Sequence, residues 1–267
     1  MTDVLSDGAV VATAALAAAV NSIAGGGTFL SFPALTGLAR LTEKAANMTS
    51  TVGLWPGSAA SIAAARAEFK SIPAGMLLWF SILSLVGGAA GALLLIHTNP
   101  LTFKLVIPWL LAFATLIFAF SRPIARWAGR KHGERSLKWS IVVGLVQVFI
   151  ALYGGYFGAG IGVLMLAGLS FAGLDHIHQM NALKVLLATL INGIATVIFI
   201  VSSLNAPATD RVQWTVASGM IVASAFGGFF GMHFARKVKQ ERLRLVILLI
   251  GISLTGIYFW RAYGAAR

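Results

Sequence analysis

The sequence predicts an all-α polytopic membrane protein made of two inverted repeats, each a broken, re-entrant helical hairpin followed by three transmembrane helices. Three observations support this fold class. Of 267 residues, 58% are hydrophobic and 10% charged, mean hydropathy is +0.86, and apolar runs of about 20 residues recur along the chain. Two of these runs are broken by glycines, and the two halves of the sequence resemble each other.

The apolar segments are joined by short connections, so we expect one transmembrane domain over residues 1–267. Repeat 1 covers about 8–121, a basic cytoplasmic linker covers 122–138, and repeat 2 covers about 139–262. The eight segments run at about 8–40, 45–67, 73–97, 102–121, 139–174, 180–204, 212–235 and 243–262.

Glycines interrupt the first and fifth segments. The breaks lie at residues 21–30, Asn-Ser-Ile-Ala-Gly-Gly-Gly-Thr-Phe-Leu, and at residues 153–162, Tyr-Gly-Gly-Tyr-Phe-Gly-Ala-Gly-Ile-Gly. Each glycine inside a helix costs about 1 kcal/mol relative to alanine, and a break that faces lipid leaves backbone groups without partners. Paired breaks in corresponding places of two halves indicate the binding site of a transporter.

The distribution of positive charge favours inversion of the second half. If segments 1 and 5 are re-entrant, each half crosses the membrane an odd number of times, and most of the 20 lysines and arginines become cytoplasmic. Eight full crossings would leave the basic residues of 236–244 on the opposite side. A continuous first segment would measure roughly 50 Å, whereas two arms of about 13–15 residues reach roughly 20 Å each. Steeply tilted or kinked full crossings remain the alternative.

The glycine breaks are candidate anion sites. The first amides of each second arm lack intrahelical acceptors and lie at the positive end of a helix dipole; the alternative is that these glycines only permit close packing. Segments 2 and 6 carry polar stripes, and Lys184 either balances an anion or snorkels to the surface. The candidate substrate-binding residues are Gly25, Gly26, Gly27, Thr28, Asn47, Ser50, Gly158, Gly160, Gly162, Asn181, Lys184 and Asn192.

Several functional classes are excluded by what the sequence lacks. All eight acidic residues lie near segment ends or in loops, so a facilitator or a potential-driven exporter fits better than a carboxylate-gated symporter. The chain has no cysteine, P-loop or nucleophile elbow, so we predict no enzyme activity, catalytic residue or cofactor. Residues 175–178, Asp-His-Ile-His, are interpreted as a polar loop and not as a metal site.

The residues around the breaks resemble a known family. Residues 21–35 and 45–50 resemble the first repeat of the TauE/SafE sulfite exporter family, once described as a family of unknown function, and residues 154–162 with Asn181 resemble its second repeat. The likeness covers about 8–262. This chain departs from the pattern with Ala167 where Pro33 would be expected, and with Lys184 opposite Ser50. The resemblance implies a multi-pass bacterial inner-membrane permease for sulfite, sulfoacetate or related sulfur-containing anions.

The sequence therefore predicts a transporter, and more specifically an exporter, of sulfite or organosulfonate-type anions that bind between the two breaks at mid-membrane. The alternatives are a channel-like anion facilitator and a non-transporting membrane scaffold or assembly protein. The expected partners are the small anion and the lipid bilayer, with no nucleic acid; the sequence leaves a homo-oligomer open.

Overall fold

The computed structural model describes residues 2–129, 137–172, 177–234 and 240–264, and every regular element within these ranges is helical. Residues 130–136 of the predicted linker and 235–239 of the second basic cluster lie outside them. The helices are α1 Thr2–Ala24, α2 Thr28–Gly37, α3 Glu43–Ala64, α4 Arg66–Phe69, α5 Ala74–His97, α6 Pro100–Gly129, α7 Leu137–Tyr156, α8 Ile161–Leu169, α9 Ile177–Ser203, α10 Trp214–Phe234 and α11 Gln240–Phe259.

Seven of the described helices are long and apolar enough to cross a membrane: α1, α5, α6, α7, α9, α10 and α11. Eight apolar segments are predicted from the sequence, and α3, the second of them, is not among these seven helices. This helix has 22 residues, enough for roughly 33 Å, but its polar stripe makes it less apolar than the others. Such a helix needs protein neighbours around its polar side, and it packs against α9 and α10.

Both helix breaks occur at the predicted glycines, but the two arms of each hairpin are unequal. Gly25, Gly158 and Gly160 have φ angles of 78°, 76° and 72°, a left-handed backbone that residues with a Cβ disfavour. The expectation of arms of about 13–15 residues is wrong: α1 and α7 have 23 and 20 residues, whereas α2 and α8 have 10 and 9. The first helix exceeds the apolar run because it begins at Thr2, within the polar N-terminal residues.

The second hairpin begins and ends at the same end of the bundle. A Cβ atom on Gly168 of α8 would lie 2.7 Å from Ile150 Cδ1 of α7, so α8 runs back along α7. Trp139, near the start of α7, donates its indole N–H to Phe171 O just beyond α8, at 3.0 Å. Gln179 in the first turn of α9 contacts Ser71 O before α5. We call this end, which carries Arg66 and Lys70 after α3, the basic end.

The first hairpin begins and ends at the opposite end of the bundle. Near the start of α1, Val11 contacts Gly219 in the second turn of α10. At the end of α2, the Thr36 hydroxyl lies 2.6 Å from the hydroxyl of Tyr258 near the end of α11. Thr42, the N-cap of α3, bonds Thr209 O just before α10. The two hairpins therefore enter the bundle from different ends.

Glycines let the hairpin of each half pack closely on the other half. On α5, Gly87 and Gly91 contact the α7 backbone near Val148 and Leu152. On α10, Gly227 and Gly231 contact the α1 backbone at Ala15 and Ala19 in the same way. The GxxxG spacing of each pair is typical of such close helix packing in membranes. Thus α5 of the first half packs against the second hairpin, and α10 of the second half packs against the first hairpin.

Candidate functional site

The two glycine breaks touch each other. A Cβ atom on Gly25 would lie 2.5 Å from Gly162 Cα, and a Cβ atom on Gly160 would lie 3.3 Å from the Phe29 ring. Gly27 packs directly against Ala17 O, which holds the start of α2 beside α1. The backbone contact between the breaks therefore occupies the space in which the sequence suggested that an anion binds.

A small cavity with polar walls lies directly beside this contact, and in this state it has room for about one water molecule. Helices from both halves form it: α1 and α3 from the first half, α8 and α9 from the second. Its lining residues are Asn21, Ser22, Ser58, Ser61, Gly162, Lys184, Val185 and Ala188.

Lys184 is the charged group of the cavity and points inward. The residue is only 1% exposed, and its Nζ donates to Ser22 O at 3.3 Å. Ser22 lies in the last turn of α1, where carbonyls lack intrahelical donors. None of the described lining residues is acidic. Lys184 is thus a buried lysine with no carboxylate beside it among the residues that the structure describes, and the alternative of snorkelling to the surface does not describe its position.

Serine hydroxyls form the wall between α1, α3 and α10. Ser22 Oγ and Ser61 Oγ are 2.7 Å apart, and each lies 3.2 Å from Gly228 O. These hydroxyls are therefore occupied by one another and by a backbone carbonyl. Asn21 Nδ2 is 3.5 Å from Ser58 Oγ, a weak contact that leaves both groups able to donate to a ligand.

The backbone of α8 adds a further donor. Gly158 O accepts from Ile161 N–H, and Gly160 O accepts from the amides of Val163 and Leu164. Among the described residues, no acceptor is found for the Gly162 N–H, which belongs to the first turn of α8 and lines the cavity. An amide in this position favours an anionic ligand.

Two of the twelve residues predicted for the site, Gly162 and Lys184, line this cavity. Asn47 instead donates Nδ2 to Tyr156 O at 3.0 Å, and its buried Oδ1 has no hydrogen-bond partner among the described residues. Ser50 bonds Ser31 at 2.7 Å. The lining does not include the others, which are Gly25, Gly26, Gly27, Thr28, Gly158, Gly160, Asn181 and Asn192.

The residues that sequence reasoning left out of the site are Asn21, Ser22, Ser58 and Ser61. A signal was present for each pair: Asn21 and Ser22 are the polar residues directly before the first break, and Ser58 and Ser61 continue the polar stripe of α3. Ser22 aligns with Tyr156 when Asn47 is aligned with Asn181. Their carbonyls accept from Lys184 and Asn47 respectively, so each broken helix end is bonded by a helix of the other half.

Metal binding has no support among the described residues, where no group of three or more His, Cys, Asp or Glu could hold an ion. Asp175 and His176, of the predicted polar loop, lie outside those residues.

Comparisons with known proteins agree over nearly the whole chain. A family model described as "Sulfite exporter TauE/SafE" matches residues 10–259. A probable membrane transporter protein of Haemophilus influenzae is 24% identical over 244 residues, covering 90% of this chain and 89% of the relative. A probable membrane transporter protein of Xylella fastidiosa is 25% identical over 256 residues, covering 92% of each chain. No solved structure matches the chain.

Proposed function

The chain belongs to the TauE/SafE sulfite exporter family, and from this premise we propose that it transports a small anion that binds in the cavity at Lys184. Because the family and the relatives are transporters, the chain is a multi-pass membrane transporter and not an enzyme. The substrate class proposed is sulfite or organosulfonate-type sulfur anions, and the membrane is the bacterial inner membrane.

The observation that carries the proposal is the burial of Lys184 with no acidic partner in the described ranges of the chain. A buried charge is costly unless another group pairs with it, and this cost is high within a membrane. An anion in the cavity would supply the missing charge, and the Asn21 amide, the Ser58 hydroxyl and the Gly162 N–H would bind its oxygens. The site thus lies beside the contact of the two breaks, and not between them.

The arrangement of the hairpins supports two inverted repeats. The first hairpin enters and leaves at the end where α3 begins, and the second does so at the basic end. Each half has three further helices long enough to cross, α3, α5 and α6 in the first and α9, α10 and α11 in the second, where the less apolar α3 is shielded by protein neighbours. With three crossings in each half, the second half then has the opposite orientation. In this topology the basic end faces the cytoplasm, and both hairpins are re-entrant.

Cysteine labelling tests this topology in a chain that has no cysteine of its own. Single cysteines at exposed Arg40 and Asn99 are expected to react with a membrane-impermeant maleimide added to intact cells. Cysteines at exposed Ser71 and His178 should react only after the membrane is opened. Labelling of all four from one side would contradict the inverted arrangement.

Transport by alternating access fits the contact of the breaks better than an open channel. The Gly25–Gly162 contact closes the space between the hairpins in this state, so a passing anion requires the repeats to move relative to each other. A channel-like facilitator would show flux that does not saturate and no counter-flow.

Export is favoured because the membrane potential drives an anion outward by about 2.3 kcal/mol per charge per 100 mV.

Flux into proteoliposomes tests the proposed function. Sulfite, thiosulfate, sulfoacetate and sulfate would be compared with and without an imposed membrane potential. We expect saturable flux of at least one sulfur anion that responds to the potential. Absence of flux for all of them, from protein shown to be folded, would contradict the proposal and favour a scaffold or assembly role.

A further inference from the structure

We propose that the cavity at Lys184 selects anions with a single negative charge over dianions of similar size. This inference rests on the proposed function, because it concerns the charge of the substrate at the same site. Its starting point is that Lys184 is the one charged side chain among the described residues of the lining. The other polar groups, from Asn21, Ser22, Ser58 and Ser61, are neutral.

The two helix ends at the cavity offset each other. The N-terminal turn of α8 reaches the cavity through Gly162, and the C-terminal turn of α1 reaches it through Asn21 and Ser22. A helix N-terminus carries roughly half a positive charge and a C-terminus roughly half a negative charge. Their sum is close to zero, so the net charge offered to a ligand is that of the Lys184 ammonium.

The second buried lysine shows how this chain stabilises a lysine that has no ligand to bind. Lys44 is 7% exposed; its Nζ donates to Ile96 O and Thr98 O at 3.0 Å and lies 3.9 Å from Asp210 Oδ2. Within the described part of the chain, Lys184 has one such carbonyl bond, to Ser22, and no carboxylate. The charge that balances Lys44 is part of the protein, whereas the charge that balances Lys184 has to arrive with a ligand.

A monoanion would neutralise the cavity, and a dianion would leave one negative charge buried and unpaired. An unpaired buried charge costs several kcal/mol after relaxation, and neutral donors such as the Asn21 amide reduce this cost without removing it. The discrimination therefore follows from the count of charges and not from the size of the anion.

Binding to the purified full-length protein tests this inference, with methanesulfonate as the monoanion and sulfate as the dianion. We expect methanesulfonate to bind at least about 30-fold more tightly, which corresponds to about 2 kcal/mol. Sulfite affinity should rise as the pH falls through the second pKa of sulfurous acid, where hydrogensulfite forms. Methanesulfonate keeps one charge throughout, so its affinity controls for pH effects on the protein.

A second ammonium in the cavity should change the preference. Ser58→Lys adds one opposite Asn21, and we expect the ratio of methanesulfonate to sulfate affinity to fall at least about tenfold, which corresponds to about 1.4 kcal/mol. If that variant does not fold, the wild-type ratio alone decides. Equal or tighter binding of sulfate by the wild type would overturn the charge selectivity and leave anion transport intact. No binding of any of these anions would overturn both.

Discussion

Replacing Lys184 with glutamine is expected to reduce anion flux by about 100-fold or more while the protein still folds. Removing one member of a buried charge pair costs roughly 2–5 kcal/mol, and each 1.4 kcal/mol is tenfold in affinity. The glutamine amide can still donate to Ser22 O, which accepts the hydrogen bond that Lys184 makes with the described residues. The loss should therefore appear in flux and in anion binding, and only weakly in thermal stability.

The matched control is the same substitution at Lys44, which is also buried. Lys44→Gln removes an ion pair with Asp210. This pair lies at the end of the bundle where α3 begins, outside the cavity. The substitution should lower stability, because Asp210 loses its partner, and retain substrate-dependent flux per folded molecule. Wild-type flux in Lys184→Gln, or an equal loss of flux in both variants, would contradict anion binding in the cavity.

Substituting Gly25 with alanine is expected to destabilise the protein by about 2–5 kcal/mol. A left-handed backbone costs roughly 1–2 kcal/mol for a residue with a Cβ, and overpacking adds typically 1–3 kcal/mol. Gly25 has a φ of 78°, and a Cβ atom there would lie 2.5 Å from Gly162 Cα. The clash is with backbone of the other hairpin, so no side-chain rotation can relieve it.

Gly26→Ala is the control within the same glycine triplet. A Cβ atom on Gly26 would meet a side-chain methyl of Ile247, and not backbone, at 3.0 Å, and Gly26 has no positive φ. We expect its midpoint of thermal unfolding in detergent to lie much closer to wild type than that of Gly25→Ala. Equal tolerance of the two substitutions would argue against the contact between the breaks.

The position of each helix break could be predicted from the sequence because it depends on local chemistry. Glycines within an apolar run weaken a helix wherever they occur, and α1 ends at Ala24 and α7 at Tyr156, beside the predicted residues. The length of α1 could not be predicted, because the residues before Gly8 are polar and show no apolar periodicity, and yet they continue the helix.

The composition of the cavity could not be predicted because it depends on how the halves interlock. Helical periodicity places Lys184 and Asn192 on one face of α9, but it cannot say which residue of α1 that face meets. The contact between Lys184 and Ser22 joins residues that are 162 positions apart. The same holds for Asn47. The sequence places it on a polar stripe, but its hydrogen bond to Tyr156 O can be seen only in the folded structure.

Anion binding at Lys184 can be tested by locating a bound anion in a crystal structure. Selenite is a chemical analogue of sulfite, and its selenium scatters X-rays anomalously. In crystals soaked with selenite, we expect an anomalous peak within about 4 Å of Lys184 Nζ, since charge-assisted N–H···O bonds are about 2.8 Å long. The peak should be absent from Lys184→Gln crystals. A peak far from Lys184, or one that persists in the variant, would contradict the account.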